Sequence, residues 1–475
     1  MTELKEKEPQ TSAPAENKMG VMPVGRLVFS MSLPIMISML VQALYNIVDS
    51  LFVSQINQNA FTAVSLAFPL QTLMIGVAVG TGVGVNANLS RSLGEKQFEK
   101  ADKFAKNGLF LAALSYIAFA VFAVFFTDIY FTAQSSVRAT VEYGKQYLFI
   151  ISIASIGVFV QVMCERLLQS TGNTVLAMYS QGLGAVINLV LDPVLIFVCD
   201  LGVAGAALAT VIGQCASALF GIYLNIKYNK EINISMKGFR PDGELIKKIY
   251  AVGVPSIIMQ SITSVMTFMF NRILTSFGSL TDTLQSILGA YFKLQSFIFM
   301  PVFGLNNGTI PIISYNFGAG KRTRLVKTIK ISAAIALSIM LFGLALMQIF
   351  PEQLLHIFKA NDEMLKYGAP ALRIISLSFI FAGICIVFTS AFQSLGHSVN
   401  SMLVSIARQL IILIPSAYLL AGTGDPNKVW WAFPIAEIAS LTASSLFMVN
   451  IVRKVIRPMP CLLYTSPSPR DSTSS

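Results

Sequence analysis

The sequence predicts an all-α membrane protein of twelve transmembrane helices, built as two six-helix lobes related by a parallel internal repeat. Three observations predict it. The 475 residues are 54% hydrophobic and 12% charged, with a mean hydropathy of +0.67, whereas a soluble domain carries roughly 25% charged residues. Apolar stretches of roughly 20 residues, the length that crosses a bilayer as a helix, recur from about residue 27 to residue 452. The chain also matches itself at a fixed shift of 224 positions. A barrel is disfavoured because the runs are continuous and longer than the roughly ten alternating residues of a barrel strand. The formal charge of +11 does not point to nucleic acid, because Lys and Arg sit between apolar stretches and form no single basic face.

Hydropathy, with Gly, Pro and charge clusters as boundaries, places spans starting near residues 27, 61, 104, 143, 175, 203, 245, 284, 327, 366, 400 and 428. Basic residues crowd alternate loops: Lys5, Lys7, Lys18 and Arg26 before span 1; Arg91, Lys96, Lys100, Lys103 and Lys106 after span 2; and Lys227 to Lys248 in the centre. Lys321, Arg322, Arg324, Lys327 and Lys330 follow span 8, and Arg453, Lys454 and Arg457 follow span 12. The other loops hold Arg138, Lys145, Lys359, Lys366, Arg373 and Lys428. By the positive-inside rule both termini are expected in the cytoplasm. The expected organisation is a disordered cytoplasmic tail over 1–20, an N-terminal lobe over 21–230, a cytoplasmic linker over 231–246, a C-terminal lobe over 247–457 and a disordered tail over 458–475. The last fifteen residues, from Cys461, switch to Ser/Pro composition, as a cloning or sequence-assembly scar does. The five cysteines show no CxxC pair and read as packing residues, with no metal site.

The 224 shift aligns Gly80 with Gly304, Gly84 with Gly308, Ser90 with Ser314, Gly94 with Gly318, Gln169-Ser170 with Gln393-Ser394 and Gly172 with Gly396. Six spans per repeat insert both lobes the same way up, with a cavity between them, and such an architecture supports alternating access by rocking.

An acid inside a span costs a few kcal/mol and is a functional-site hypothesis by default. In span 1, Gln42, Tyr45, Asn46 and Asp49 recur at i, i+3, i+4 and i+7 and share one face. In span 5, Asn188 and Asp192 share a face and precede Pro193, which removes an amide donor. Two carboxylates with an amide suit a proton or a Na⁺ among oxygen ligands, and an interhelical packing network is the bland alternative. In the second lobe Asp192 falls on Ser416, Asn188 on Ile412, and Asp49 on Ile273, or on Phe270 if the Pro34/Pro255 pair sets the register. The second lobe therefore lacks both of these acids. Weaker polar candidates are Gln260, Thr263, Thr267 and Asn271 on span 7, Lys293 on span 8, and Gln161 on span 4; Glu165 and Arg166 are expected to pair as ions. Of these, Gln260, Thr263, Thr267 and Lys293 are the candidates for a substrate cavity.

The stretch LPIMISMLVQALYNIVDSLFVS in span 1, the Gly94 loop with its Gly318 counterpart, LLQSTGNT, and INLVLDPVLIF followed by GVAGAALATVIGQ resemble the multidrug and toxic compound extrusion (MATE) family over roughly residues 20 to 457. The resemblance implies a V-shaped exporter in which Asp49, Asn188, Asp192 and Thr210 form a coupling-ion site like that of the DinF-like branch, with Pro34 as the bending proline of span 1. The NorM-like branch carries acids in the second lobe that the interiors of spans 7 and 10 here lack. The function expected from the resemblance is H⁺- or Na⁺-coupled export of amphipathic, often cationic, drugs across the plasma membrane of a prokaryote by a monomer. No cofactor beyond the coupling ion and no nucleic-acid partner are expected. The competing reading is a lipid-linked oligosaccharide flippase, which needs a cationic cavity. Against it, Lys293 and Arg272 are the basic residues placed inside spans. An enzyme is disfavoured because His356 and His397 lie near opposite faces, and GxxxxGK[ST] is absent.

Overall fold

The computed structural model describes residues 16–134, 137–358 and 360–459. Lys5, Lys7, Lys359, Cys461 and both expected disordered tails, save their innermost residues, lie outside the described residues. Every expected span is a helix. With no water to satisfy backbone groups in hydrocarbon, long apolar runs close their own hydrogen bonds. Span 1 is Val24–Ile56, span 2 Gln58–Gly94 and span 3 Phe98–Gln134. Span 4 is a bent pair, Arg138–Ile153 and Ile156–Ser170; span 5 is Thr174–Pro193 continued by a π-helical turn, Val194–Val198; span 6 is Gly202–Tyr228. Span 7 is Gly243–Leu274 and span 8 Thr281–Gly318, joined by one tight turn that uses Gly278 at φ 59°. Span 9 is Arg322–Ile349 and span 10 a second bent pair, Asp362–Ser376 and Phe379–Ser394. Span 11 is Ser398–Ala421, with a π-helical stretch at Ala407–Leu413, and span 12 is Pro426–Ile456. Local chemistry sets several starts. Asn57 and Asn361 cap spans 2 and 10 through bonds of 2.8 Å from the amides of Ala60 and Met364. Asp242 caps span 7, accepting from Glu244 and Leu245, so that helix begins inside the expected linker.

The repeat is visible as repeated geometry. Spans 4 and 10 bend by the same 46°. Ser90 Oγ donates to the Ser170 carbonyl at 2.9 Å, and Ser314 Oγ to the Ser394 carbonyl at 3.1 Å. The turn before span 5 holds Gly172 at φ 90° and the turn before span 11 holds Gly396 at φ 80°, a region open to glycine at little steric cost. After span 2 the corresponding left-handed position is Lys96, at φ 59°, where lobe 2 has Gly320 at φ 68°.

The lobes, spans 1–6 and 7–12, meet where span 1 packs on span 8 and span 2 on spans 7 and 8. The duplicated glycines form this seam. A Cβ on Gly94 would stand 2.0 Å from the Tyr315 carbonyl oxygen, and one on Gly318 would stand 2.2 Å from the Arg91 carbonyl oxygen. Gly80 faces Ile257 and Gly304 faces Met36 in the same way. Small residues let backbones approach this closely without any aqueous hydrophobic drive. Met36 and Ile257 differ by 221 positions, so spans 1 and 7 correspond in the register of Pro34 and Pro255. The tight contacts run from mid-helix to the face that carries the basic loops, whereas Gly289, on the other half of span 8, faces nothing within 4 Å.

A short N-terminal segment straps that basic face. Asn17 Nδ2 donates to the Thr171 carbonyl of lobe 1 at 3.0 Å and to the carboxylate of Glu231, just after span 6, at 2.6 Å. Arg324 of lobe 2 donates to the carbonyls of Met19 and Met22, Asn316 to that of Met19, and Lys321 pairs with Glu16. Met19 is fully buried. Burial lowers the Lys18 pKa below 10.5 and raises that of Glu231 above 4.5, and in each case the opposite charge of the other partly offsets the shift.

Candidate functional site

The polar faces of spans 1 and 5 converge inside lobe 1. Asn188 and Asp192 are buried, at 3% and 1% exposure, on the face that span 5 turns toward spans 1 and 6. The Asn188 amide lies 3.4 Å from both Asp192 Oδ1 and Thr210 Oγ1, and with its amide turned over it still meets Asp192 Oδ2 at 3.3 Å and the Thr210 backbone N–H at 3.1 Å. Asn188 therefore ties span 5 to span 6 in either orientation. Thr210 Oγ1 donates to the Ala206 carbonyl at 3.1 Å, which leaves its lone pairs toward the site.

Asp49 of span 1 stands within electrostatic reach of Asp192. Its Oδ1 is buried without a hydrogen-bond partner. Tyr45 and Tyr147 lie in the same field as both acids, and Tyr147, 2% exposed, stands beside Gln71. One turn deeper, Gln181 Nε2 donates to Gln42 Oε1 at 2.9 Å and fastens span 5 to span 1. Asn46 is exposed, whereas the other three residues sharing the span 1 face are partly buried. Toward the far face Phe52 meets Phe197 edge to face at 6.2 Å. Pro34 sits mid-helix, buried, near the seam contacts of Ser32 and Met36. Two carboxylates, an amide and a hydroxyl out of bulk water offer oxygen ligands to a proton or a small hard cation.

Lobe 2 has a different interior. Phe270, the counterpart of Asp49, is fully buried against Trp430, at 5.9 Å between centroids, and Phe433, at 5.1 Å. Tyr291 meets Phe433 at 5.6 Å. One helical turn below Phe433, Glu437 of span 12 pairs with Arg408 of span 11, Oε1 to NH1 at 2.5 Å. This corrects the expectation that Lys293 and Arg272 are the basic residues inside spans, since Arg408 and Arg166 also lie within span helices, with Arg166 buried and Arg408 partly so. Under the 224 shift Arg408 and Glu437 replace Gly184 and Gly213. In lobe 1 those glycines bring spans 5 and 6 into backbone contact, each Cβ position lying within 3 Å of the other's carbonyl oxygen.

Two further expectations are corrected or divided. Glu165 and Arg166 form no ion pair: Glu165 accepts from Gln161 at 3.0 Å and Arg166 donates to Gln169 at 3.0 Å. Neighbours in a helix point about 100° apart, so adjacent charges reach different partners. The substrate candidates do not gather in one place. Gln260 faces Gly76 of span 2 at the seam, and Thr267 Oγ1 donates to the Thr263 carbonyl at 2.9 Å along span 7. Lys293 instead lines a cavity of about 570 Å³ with Asp282, Ser286, Asn361 and Met364, its ammonium 5.8 Å above the Phe358 ring. Tyr147 and Gln71 went unnoticed because single aromatic and amide residues in apolar runs carry no spacing signal; Arg408 and Glu437 did so because they lie 29 positions apart on different spans.

A family model described as MatE matches residues 34–194 and 255–419, once in each lobe and over more than half of the chain. The chain belongs to the MatE family. It is a multi-pass membrane transporter and not an enzyme. Similar curated proteins include the multidrug export protein MepA of Staphylococcus haemolyticus (strain JCSC1435), 26% identical over 407 residues, covering 86% of this chain and 89% of that protein. MepA of Staphylococcus aureus (strain MRSA252) is 25% identical over 430 residues, covering 90% and 94%. Among solved structures, an outward-facing conformation of a multidrug resistance MATE family transporter of the MOP superfamily superposes with a TM-score of 0.89 at 23% identity, covering 94% of this chain and all of that one. A MATE in the bent conformation superposes with 0.84 at 24% identity, covering 91% and 97%. The shared fold is twelve helices in two lobes.

Proposed function

We propose that the chain exports amphipathic organic compounds across the plasma membrane by alternating access, driven by H⁺ or Na⁺ bound in lobe 1 at Asp49, Asn188, Asp192 and Thr210. The observation that carries this reading is the asymmetry between the lobes: a polar pocket with an unpartnered Asp49 oxygen in lobe 1 stands where lobe 2 has Phe270 and an aromatic core. A network that served packing alone would have no reason to occupy one copy of a duplicated fold. The curated relatives' names as multidrug export proteins support the substrate class. We place both termini in the cytoplasm, with lobes over 21–230 and 247–457, a linker over 231–246 and a chain working as a monomer. The absence of acids inside spans 7 and 10 favours the DinF-like pattern.

In this reading the glycine seam closes the cytoplasmic side, and the described conformation opens outward. A coupling ion enters lobe 1 from outside, changes the contacts that span 1 makes around Pro34, and the drug leaves as the lobe 1 cavity shrinks. The lipid-linked oligosaccharide flippase reading would need a cluster of free basic residues in the cavity, whereas Arg408 is neutralised by Glu437 and Lys293 lines its cavity alone among basic residues and together with Asp282. The test is ethidium efflux from drug-sensitive cells carrying wild type, Asp49→Asn or Asp192→Asn. Loss of efflux in both variants is expected; full efflux in both would remove the coupling role of these acids.

A further inference from the structure

The ion pair of lobe 2 is a larger departure from the repeat than the acids of lobe 1. Gly184 and Gly213 permit spans 5 and 6 to touch backbone to backbone. Spans 11 and 12 instead hold two long charged side chains at those positions, and the helix carrying Arg408 has a π-helical stretch, Ala407–Leu413, beginning one residue before it. π-helical turns inside α-helices are frequent at functional sites. The pairing is incomplete. Glu437 bonds Arg408 through Oε1, while its Oε2 is buried with no partner, as is the hydroxyl of Ser444 on the same face two turns along span 12. Arg408 is the more open member, its side chain 28% exposed against 11% for Glu437. Phe433, four residues before Glu437 on span 12, and Tyr291, which lies in the field of the Glu437 charge, pack with Phe270 and Trp430 into a buried aromatic cluster. Aromatic faces beside a carboxylate recognise organic cations through quadrupole attraction and charge together.

The geometry points to Glu437 as a specificity-determining carboxylate for the cationic group of a transported compound, with Arg408 as a built-in surrogate cation that holds the carboxylate while lobe 2 is empty. This inference rests on the export reading above and names the site that reads charge. A compound with an ammonium or phosphonium centre displaces the guanidinium from Glu437, and Arg408 moves toward the space into which it is already partly open. Glu437 keeps a cation beside it throughout, and the added positive charge is carried by the displaced guanidinium on the side where Arg408 is already 28% exposed, away from full burial. The division of labour follows the asymmetry of the lobes: oxygen ligands for the small ion in lobe 1, an acid with aromatics for the organic cation in lobe 2.

The sign of one variant separates this from a structural ion pair. Arg408→Gln removes the internal competitor and is expected to bind cation more tightly; Glu437→Gln is expected to bind it at least tenfold more weakly. The measurement is equilibrium dialysis of tetraphenylphosphonium against the purified full-length protein in detergent. Wild type, both single variants, Arg408→Lys and the neutral Arg408→Gln/Glu437→Gln pair are compared, with thermal unfolding of each. Arg408→Lys should restore wild-type affinity, and the neutral pair should bind as weakly as Glu437→Gln. If a single variant does not fold, the neutral pair and Arg408→Lys still decide. Equal weakening by Arg408→Gln and Glu437→Gln, or wild-type affinity in the neutral pair, would overturn the inference. Ethidium efflux by wild type distinguishes the two levels: efflux with binding unaffected by any variant overturns this inference alone, whereas no efflux and no binding in wild type overturns the export reading and this one with it.

Discussion

Asn188 is the side chain on which the lobe 1 site turns, because its amide bonds Asp192 on its own helix and Thr210 on the next. Replacing it with leucine leaves a buried carboxylate short of a donor, a loss of about 1–3 kcal/mol, and efflux should fall more than tenfold while the protein still folds. Ethidium efflux alongside thermal unfolding checks both. At Lys96 the backbone is left-handed, at φ 59°, with a side chain where lobe 2 has Gly320. Such a conformation costs a non-glycine residue roughly 1–2 kcal/mol, partly recovered because glycine loses more entropy on folding. Lys96→Gly should therefore raise stability by up to about 1 kcal/mol, seen as a higher unfolding temperature in detergent. How much of the site was legible depended on spacing. Asn188 and Asp192 announce themselves at i, i+4 in one apolar run, and Asp49 closes an i, i+3, i+4, i+7 stripe. Tyr147 and the Arg408–Glu437 pair are tertiary facts, made when different spans fold together, and no local pattern encodes them.

Among elements, the spans were the most legible part of the sequence, because a bilayer leaves a long apolar run no alternative to the helix. The bends were not. Spans 4 and 10 break at matching places without an internal proline at the break, so the 46° angle comes from packing within each lobe. The N-terminal strap was read from sequence as part of a solvated tail, yet Asn17 and Met19 are held by both lobes. Asn17 bonds a carbonyl of lobe 1, and side chains of lobe 2 donate to the strap's own backbone carbonyls, partners that hydropathy does not see. Glu231 gives it a pH dependence. Burial raises its pKa in the folded protein, so the stability linked to its protonation is present below the ordinary value of about 4.5 and is lost as pH rises through the raised value. Glu231→Gln keeps an acceptor for Asn17 and removes the ionisation, and should flatten unfolding temperature against pH just above 4.5. An unchanged slope would assign it to other groups.

At the scale of the whole molecule, one duplicated skeleton carries two different interiors, and the aligned glycines of spans 2 and 8 are the surfaces on which the copies meet. Gly94 and Gly318 cannot take a Cβ without moving backbone, since the atoms they face are carbonyl oxygens 2.0 and 2.2 Å from the Cβ position. Gly94→Ala should hold the basic face open. Spin labels at Glu99 and Thr323, exposed on the two sides of the seam, should report a longer distance than in wild type. The central claim is that a small ion bound to the lobe 1 acids drives export. Its most direct test is purified protein in liposomes, with ethidium movement followed under an imposed pH gradient and, separately, an imposed Na⁺ gradient, for wild type, Asp49→Asn and Asp192→Asn. The account predicts that one gradient drives wild-type transport and that neither variant responds to it. Gradient-driven transport that persists undiminished in both variants would contradict it.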